Sequence, residues 1–345
     1  MGQVDPAFIQ ELQHRPNLSF TVDDGIPTID LSRPRDDPSL VTEIGNACKK
    51  WGFFQVINHG VPAEKRSRIE DAARSFFALP LEEKTKVRRD EKRVLGYYDT
   101  EHTKNVRDWK EVFDITAHDP TCVPASYYPE DSEVTWWRNQ WPEHPHDMRE
   151  VCEDYVAEME KLAFRLMELI ALSLSLPGDR FRGFFDEQTT FMRLNHYPAC
   201  PSPLLALGVG RHKDAGGLTI LAQDDVGGLE VKRKRDGEWV RVRPTPDAFI
   251  INVGDIIQVW SNEEYESVEH RVMVNSERER FSIPFFFNPG HSLVVEPLRE
   301  VAEAQGRPAK YKGYNWGKFF VTRKRSNFMK LDVENIQIHH FKITS

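Results

Sequence analysis

Cysteine is scarce. The chain has only four among 345 residues (Cys48, Cys122, Cys152 and Cys200), and no two of them form a CxxC pair. That spacing excludes a disulfide-stapled framework and implies reduced thiols in an intracellular, cytoplasmic setting. Long apolar runs are missing too. The most apolar segment, Leu162 to Leu176, carries Arg165 and Glu168 and is too short to span a bilayer. The N-terminus, Met1-Gly2-Gln3-Val4-Asp5, has neither the basic region nor the apolar stretch of a secretory signal. Basic residues are not in excess: 46 Lys and Arg stand against 54 Asp and Glu, a formal net charge of −8. That balance argues against general nucleic-acid or anionic-membrane binding. Internal repeats and low-complexity tracts are absent. What remains is a globular, soluble chain, long enough for one large domain or two ordinary ones. The expected partner is a small molecule, and the expected state a monomer.

The hydrophobic period changes along the chain. Residues 1–25 are polar and read as an arm. Ile26 to Leu31 alternates like a short strand, Pro38 to Lys50 has a helical stripe, and Phe53 to Ile57 reads as a buried strand. Pro62 to Leu79 is a second amphipathic helix, and residues 85–145 look irregular and aromatic. The best helix runs from about 147 to 176, with Val151, Tyr155, Met159, Leu162, Leu166, Leu169 and Ile170 at three- and four-residue steps. From about 190 the period becomes two. Short alternating runs separated by Asp236-Gly237 and Gly254-Asp255 predict an all-β back half, with strands at Ala248 to Val253 and Ile256 to Trp260. A closing helix is expected over Lys312 to Val321, and the basic run Arg323-Lys324-Arg325 reads as its solvated end. The predicted division is a mostly helical 1–185, a sandwich or jelly-roll core over 186–300, and a helical 301–345.

Chemistry concentrates in that back half. In the extended stretch Gly210 to Leu221, His212 and Asp214 project to one face, because residues two apart share a face of a strand. A second imidazole at His270 would complete a 2-His-1-carboxylate set, which leaves half of a metal's positions open and is typical of non-haem Fe(II) oxygenases. Either piece alone is weak, since the chain has twelve histidines. Arg280 and Ser282 share a face and make a natural carboxylate clamp, and Asn195 and Tyr197 share another. His196 faces away from those two and is not expected to be a ligand. His59, in an Asn-His-Gly turn, reads as a structural turn residue.

In this order the pieces resemble the plant 2-oxoglutarate- and Fe(II)-dependent dioxygenases, the group of flavonol synthase, anthocyanidin synthase and the gibberellin oxidases. The resemblance covers nearly the whole chain, from Ile26-Pro27-Thr28-Ile29-Asp30-Leu31 and Trp51 to Gly60 through Arg193 to Pro198, the His212–Asp214 pair, Asn252 to Asp255, His270 to Val272 and Arg280 to Pro289. It implies a mainly β fold with flanking helices, a double-stranded β-helix of cupin type. It implies Fe(II) on His212, Asp214 and His270. The distal carboxylate of 2-oxoglutarate falls to Arg280 and Ser282, with Tyr197 assisting and Asn195 near the metal end. It implies O₂ as oxidant, ascorbate as reductant, release of succinate and CO₂, and hydroxylation, desaturation or ring closure of a small plant metabolite or hormone. Phe286 and Asn288 on one strand face, with Val112, Phe113 and Asp114, are the expected substrate contacts. Asn288 and Asp114 depart from the flavonoid enzymes' pattern, which counts against a flavonoid substrate. Two alternatives stay open at this point: a 2-oxoglutarate-independent oxidase on the same scaffold, and a catalytically silent binding protein. A zinc hydrolase lacks a placed general base.

Overall fold

A computed structural model describes residues 4–16, 25–326 and 335–343. The front half contains β1 (Thr28–Asp30), α1 (Pro38–Lys50), β2 (Phe53–Ile57), α2 (Ala63–Phe77) and α3 (Leu81–Thr85). Six short strands follow: β3 (Gly96–Tyr98), β4 (His102–Thr103), β5 (Val106–Arg107), β6 (Glu111–Thr116), β7 (Thr121–Pro124) and β8 (Val134–Trp137). The long α4 (Met148–Ser173) leads into β9 (Phe191–Tyr197), β10 (Val209–His212), β11 (Leu218–Gln223), β12 (Leu229–Lys232), β13 (Trp239–Arg241) and β14 (Phe249–Val253). Then come α5 (Asp255–Trp260), β15 (His270–Val272), β16 (Arg280–Phe287), β17 (Val294–Val295), α6 (Arg299–Gln305), β18 (Tyr314–Asn315) and α7 (Trp316–Ser326).

Two sheets carry the architecture. The larger has eight strands in the order β1-β2-β14-β11-β16-β9-β6-β3, and the smaller has four, β10-β15-β12-β13. Alternation along each strand sends side chains to two different cores. Phe54 and Val56 of β2, Phe249 and Ile251 of β14 and Phe285 and Phe287 of β16 join Leu40, Ile44, Phe76, Met159, Leu162 and Leu166 of α1, α2 and α4 in one cluster. On the opposite face Phe53, Tyr197 and Ile250 meet Val209, Leu229, Val231 and Val272 of the smaller sheet in a second. The result is helices, large sheet and small sheet in layers. No described helix is long and apolar enough to cross a membrane.

Several sequence expectations shift here. Strands β1, β2, β3 and β6 take four of the eight places in the large sheet, so that sheet draws on residues before 186 as well as after. The segment 85–145 is not irregular: it holds β3 to β8, too short for a periodic signal. Ile256 to Trp260 is helix α5 rather than a strand. All six of its residues are buried, and a short run apolar on every side carries no period to tell the two apart; Asp255 in the first turn favours the helix. The closing helix begins at Trp316, not 312, because Asn315 Oδ1 accepts the backbone N–H of Lys318 and caps the first turn. Within the expected N-terminal arm, Pro6–Phe8 and Leu12–His14 form 3-10 turns, while residues 1–3 and 17–24 lie outside the described set.

Candidate active site

The smaller sheet builds the metal site. His212 ends β10, His270 opens β15, and the two are register partners across that ladder, so their rings sit 4.2 Å apart. Asp214 follows two residues after His212. Its Oδ1 lies 3.6 Å from Nε2 of each histidine. The other oxygen is already used: Oδ2 accepts from Thr219 Oγ1 at 2.7 Å and from Asn252 Nδ2 at 2.8 Å. The far ring nitrogens are used as well, with His212 Nδ1 2.9 Å from Gly210 O and His270 Nδ1 3.2 Å from Val268 O. A carbonyl only accepts, so each Nδ1 carries the proton and each Nε2 turns its lone pair inward. Three ligand atoms therefore converge, all within 4.8 Å of one another, and no other such group occurs among the described residues. Burial, together with the neighbouring His212, pushes the His270 imidazole down to about 4, so it is neutral and able to donate its lone pair at neutral pH. Burial alone would raise Asp214, but the two imidazoles and the Asn252 amide outweigh it and hold the carboxyl well below its usual range. Two imidazoles and one carboxylate with open positions suit ferrous iron.

A second polar group lies on the large sheet. Arg280 of β16 pairs in register with Tyr197 of β9, and Ser282 with Asn195. Asn195 Nδ2 donates to Ser282 Oγ at 3.3 Å, and the guanidinium of Arg280 rests over the Tyr197 ring, 4.9 Å from its centroid. Arg280 is only 2% exposed, and its Nη2 donates to Gln223 Oε1 at 3.0 Å. Its Nε and Nη1 have no partner among the described residues. Two buried N–H donors left unpaired are costly, and a carboxylate is the natural acceptor for them. Thr219, which holds Asp214, and Gln223, which holds Arg280, are four residues apart on β11 and share its face. One strand face thus spaces the metal ligands from the clamp.

A cavity of about 800 Å³ opens on His212 and Asp214, with Phe286 and Asn288 in its wall. Phe191, Trp316 and Phe320 add aromatic surface, and Phe191 stacks on Phe286 at 4.5 Å. The other three expected substrate contacts fall elsewhere. Val112 is buried outside the cavity lining, and Phe113 packs on Phe76 at 4.8 Å in the helix-side core. Asp114, fully buried, is enclosed by Arg193 at 2.7 Å, Lys324 at 3.0 Å and Arg89 at 3.1 Å. Its neighbours decide its role: a carboxylate among three cations is held well below its usual range, against the effect of burial. The expected solvated helix end is corrected here too. α7 lies against the cavity, so Arg323 lines it and Lys324 is buried on Asp114; the side chain of Arg325 is outside the described set. His59 does act within its turn, with Nε2 2.8 Å from Asp247 O and Nδ1 accepting from Val61 N.

Charge in the cavity wall opposes that of the molecule. Eight Lys or Arg residues line it against four carboxylates, in a chain of net charge −8. Part of the surplus is built into a buried network that joins Glu101, Asp108 and Asp114 to Arg89, Lys110, Arg193 and Lys324, three acids against four bases. Sequence reasoning missed this network, as it missed Thr219, Asn252 and Gln223. Their only advance signal was polarity inside otherwise apolar strands.

Comparison with known proteins agrees with this geometry. Residues 188–289 match the model of the 2OG-Fe(II) oxygenase superfamily, and residues 26–144 match that of the non-haem dioxygenase in morphine synthesis N-terminal region. The chain is 36% identical over 318 residues to flavanone 3-dioxygenase 2 of Oryza sativa subsp. japonica, covering 91% of this chain and 88% of that one. Among solved structures it is similar to JOX2 in complex with 2OG, Fe and JA, with TM-score 0.79, 35% identity and coverage of 93% and 89% of the two chains. It is similar also to the dioxygenase for auxin oxidation in rice, with TM-score 0.70, 26% identity and coverage of 92% and 100%.

Proposed function

The chain belongs to the 2OG-Fe(II) oxygenase superfamily, and from that premise we propose that it oxidises a C–H bond of a small plant acid, a molecule with an apolar body and one carboxylate. When bound, iron and 2-oxoglutarate supply the oxidation: O₂ is consumed, 2-oxoglutarate leaves as succinate and CO₂, and one oxygen atom goes to the substrate. The side chains supply position. In this reading His212, Asp214 and His270 hold the iron, and Thr219 and Asn252 keep Asp214 aimed at it. Arg280 and Ser282 receive the distal carboxylate of 2-oxoglutarate, with Asn195 and Tyr197 supporting them from the next strand. The two facing sheets are read as the double-stranded β-helix, acting as a monomer. Phe191, Phe286 and Trp316 shape the apolar side of the cavity, and Arg323 and Lys213 in its wall face the acid.

The observation that carries the 2-oxoglutarate assignment is Arg280, deeply buried with two donors unpaired. The one that carries the acidic substrate is a cation-rich cavity in an acidic protein. Supporting the first, the similar JOX2 structure holds 2OG and Fe. The test is anaerobically loaded Fe(II) protein given 2-oxoglutarate, O₂ and a panel of plant carboxylic acids beside their methyl esters. Succinate release coupled to a mass gain of one oxygen is expected for an acid and not for its ester. Equal turnover of both forms would refute the acidic-substrate reading, and oxidation without succinate would refute the use of 2-oxoglutarate. His212→Ala and Asp214→Ala are each expected to retain the fold by circular dichroism while losing bound iron and all coupled succinate. Product at the native level from either variant contradicts the ligand assignment.

A further inference from the structure

His196 stands among the clamp residues in sequence and behind them in space. Alternation puts Asn195 and Tyr197 on one face of β9 and His196 on the other. Its register partner is Phe281, which lies between Arg280 and Ser282 on β16. The imidazole stacks on that ring, centroids 4.7 Å apart and planes at 17°, and Phe77 of α2 adds a second ring at 5.5 Å. Both ring nitrogens meet carboxylates. Nδ1 is 2.7 Å from Glu111 Oε1 on β6, and Nε2 is 2.9 Å from Glu279 Oε2, one residue before β16. A carboxylate only accepts and a neutral imidazole has a single N–H, so only the imidazolium donates to both. Glu111 is itself fixed, since its Oε2 accepts from Lys84 Nζ of α3 and from Tyr97 OH of β3, each at 2.7 Å. Burial would raise the Glu111 carboxyl, but hydrogen bonds from His196, Lys84 and Tyr97 outweigh it and keep it below its ordinary value. Arg74 of α2 completes the charged surroundings, 4.3 Å from the Phe281 centroid.

We propose that His196 is a positioning residue for 2-oxoglutarate: as an imidazolium bridging Glu111 and Glu279, it ties β6, β9 and β16 together on the back of the clamp and holds Arg280 and Ser282 in place. The proposal rests on the reading of Arg280 and Ser282 as the clamp. Without that bridge Glu279 is untethered, the start of β16, where Arg280 adjoins it, loosens, and cosubstrate affinity falls.

The experiment is calorimetric titration of 2-oxoglutarate into the full-length, anaerobic Fe(II) protein. His196→Gln serves only one carboxylate, and its Kd is expected to rise roughly fivefold or more over the native value. Glu279→Ala removes the other end of the bridge and is expected to raise the Kd likewise; the Glu279 side chain is 57% exposed, so this substitution spares the core. Circular dichroism and Fe(II) affinity, which a fold defect would move, are expected to stay native in both. A folded His196→Gln or Glu279→Ala protein that binds 2-oxoglutarate like the native one overturns the proposal. Arg280→Ala separates the two layers of the argument. If it binds 2-oxoglutarate as tightly as the native protein, the clamp reading fails and His196 loses its role with it. If it weakens binding while His196→Gln does not, His196 alone is refuted.

Discussion

Asp214 shows how a ligand is made from its surroundings. One oxygen is occupied by Thr219 and Asn252, which leaves the other to point between two imidazoles. Asn252→Ala is therefore expected to lower Fe(II) affinity about 10- to 100-fold without loss of fold, as supporting partners of metal ligands generally do, and metal titration against a competing chelator measures it. The pairing of His212 and Asp214 was readable from their spacing, although β10 ends at His212 and Asp214 sits in the connection to β11. The supporting pair was not. Thr219 and Asn252 face each other across the β11–β14 ladder, and that register is a tertiary fact. Asp114 misled for the same reason. The family resemblance suggested a substrate contact there, but three cations from elsewhere in the chain surround it.

At the level of elements, the C-terminal segment is attached by charge. Lys324 of α7 reaches Asp114 of β6 inside the buried network. Asp114→Asn leaves Arg89, Arg193 and Lys324 short of one counter-charge in the interior and is expected to destabilise by about 3–5 kcal/mol, read by urea denaturation. Glu263 makes a second attachment, accepting from Tyr311 at 2.6 Å and pairing with Lys310 at 2.8 Å and Lys342 at 2.6 Å. Burial would raise this carboxyl, but its hydrogen bonds to Lys310, Lys342 and Tyr311 bring it down to about 2. A carboxylate with a depressed folded value contributes stability above its unfolded value of 4.5 and loses it as pH falls toward about 2. The C-terminal attachment should loosen in that window, and Glu263→Gln should show the same loosening at neutral pH. Limited proteolysis of the last residues checks both. Long helices such as α4 were legible because their stripe repeats over many turns. α5 was not, because fewer than two turns are too short to set a phase.

Over the whole molecule, the field runs opposite to the sign of the chain. An acidic exterior keeps general anions away, while a cavity with twice as many bases as acids draws in one placed at its mouth. For an acidic substrate kcat/KM is expected to fall as salt rises through about 0.1–0.5 M, because the screening length shrinks below the depth of a cleft; for an uncharged analogue it should stay level. Steady-state rates at graded ionic strength decide this. Net charge alone argued against general nucleic-acid binding but gave no hint of this inversion, which depends on which charges the fold turns inward.

The placement of α7 also bears on biosynthesis. All three metal ligands are synthesised before residue 316, yet Trp316, Phe320, Arg323 and Lys324 wall the cavity that His212 and Asp214 line. The enclosing wall is therefore the last part of the chamber to be made, and a chain halted before it would carry the ligand set without that wall.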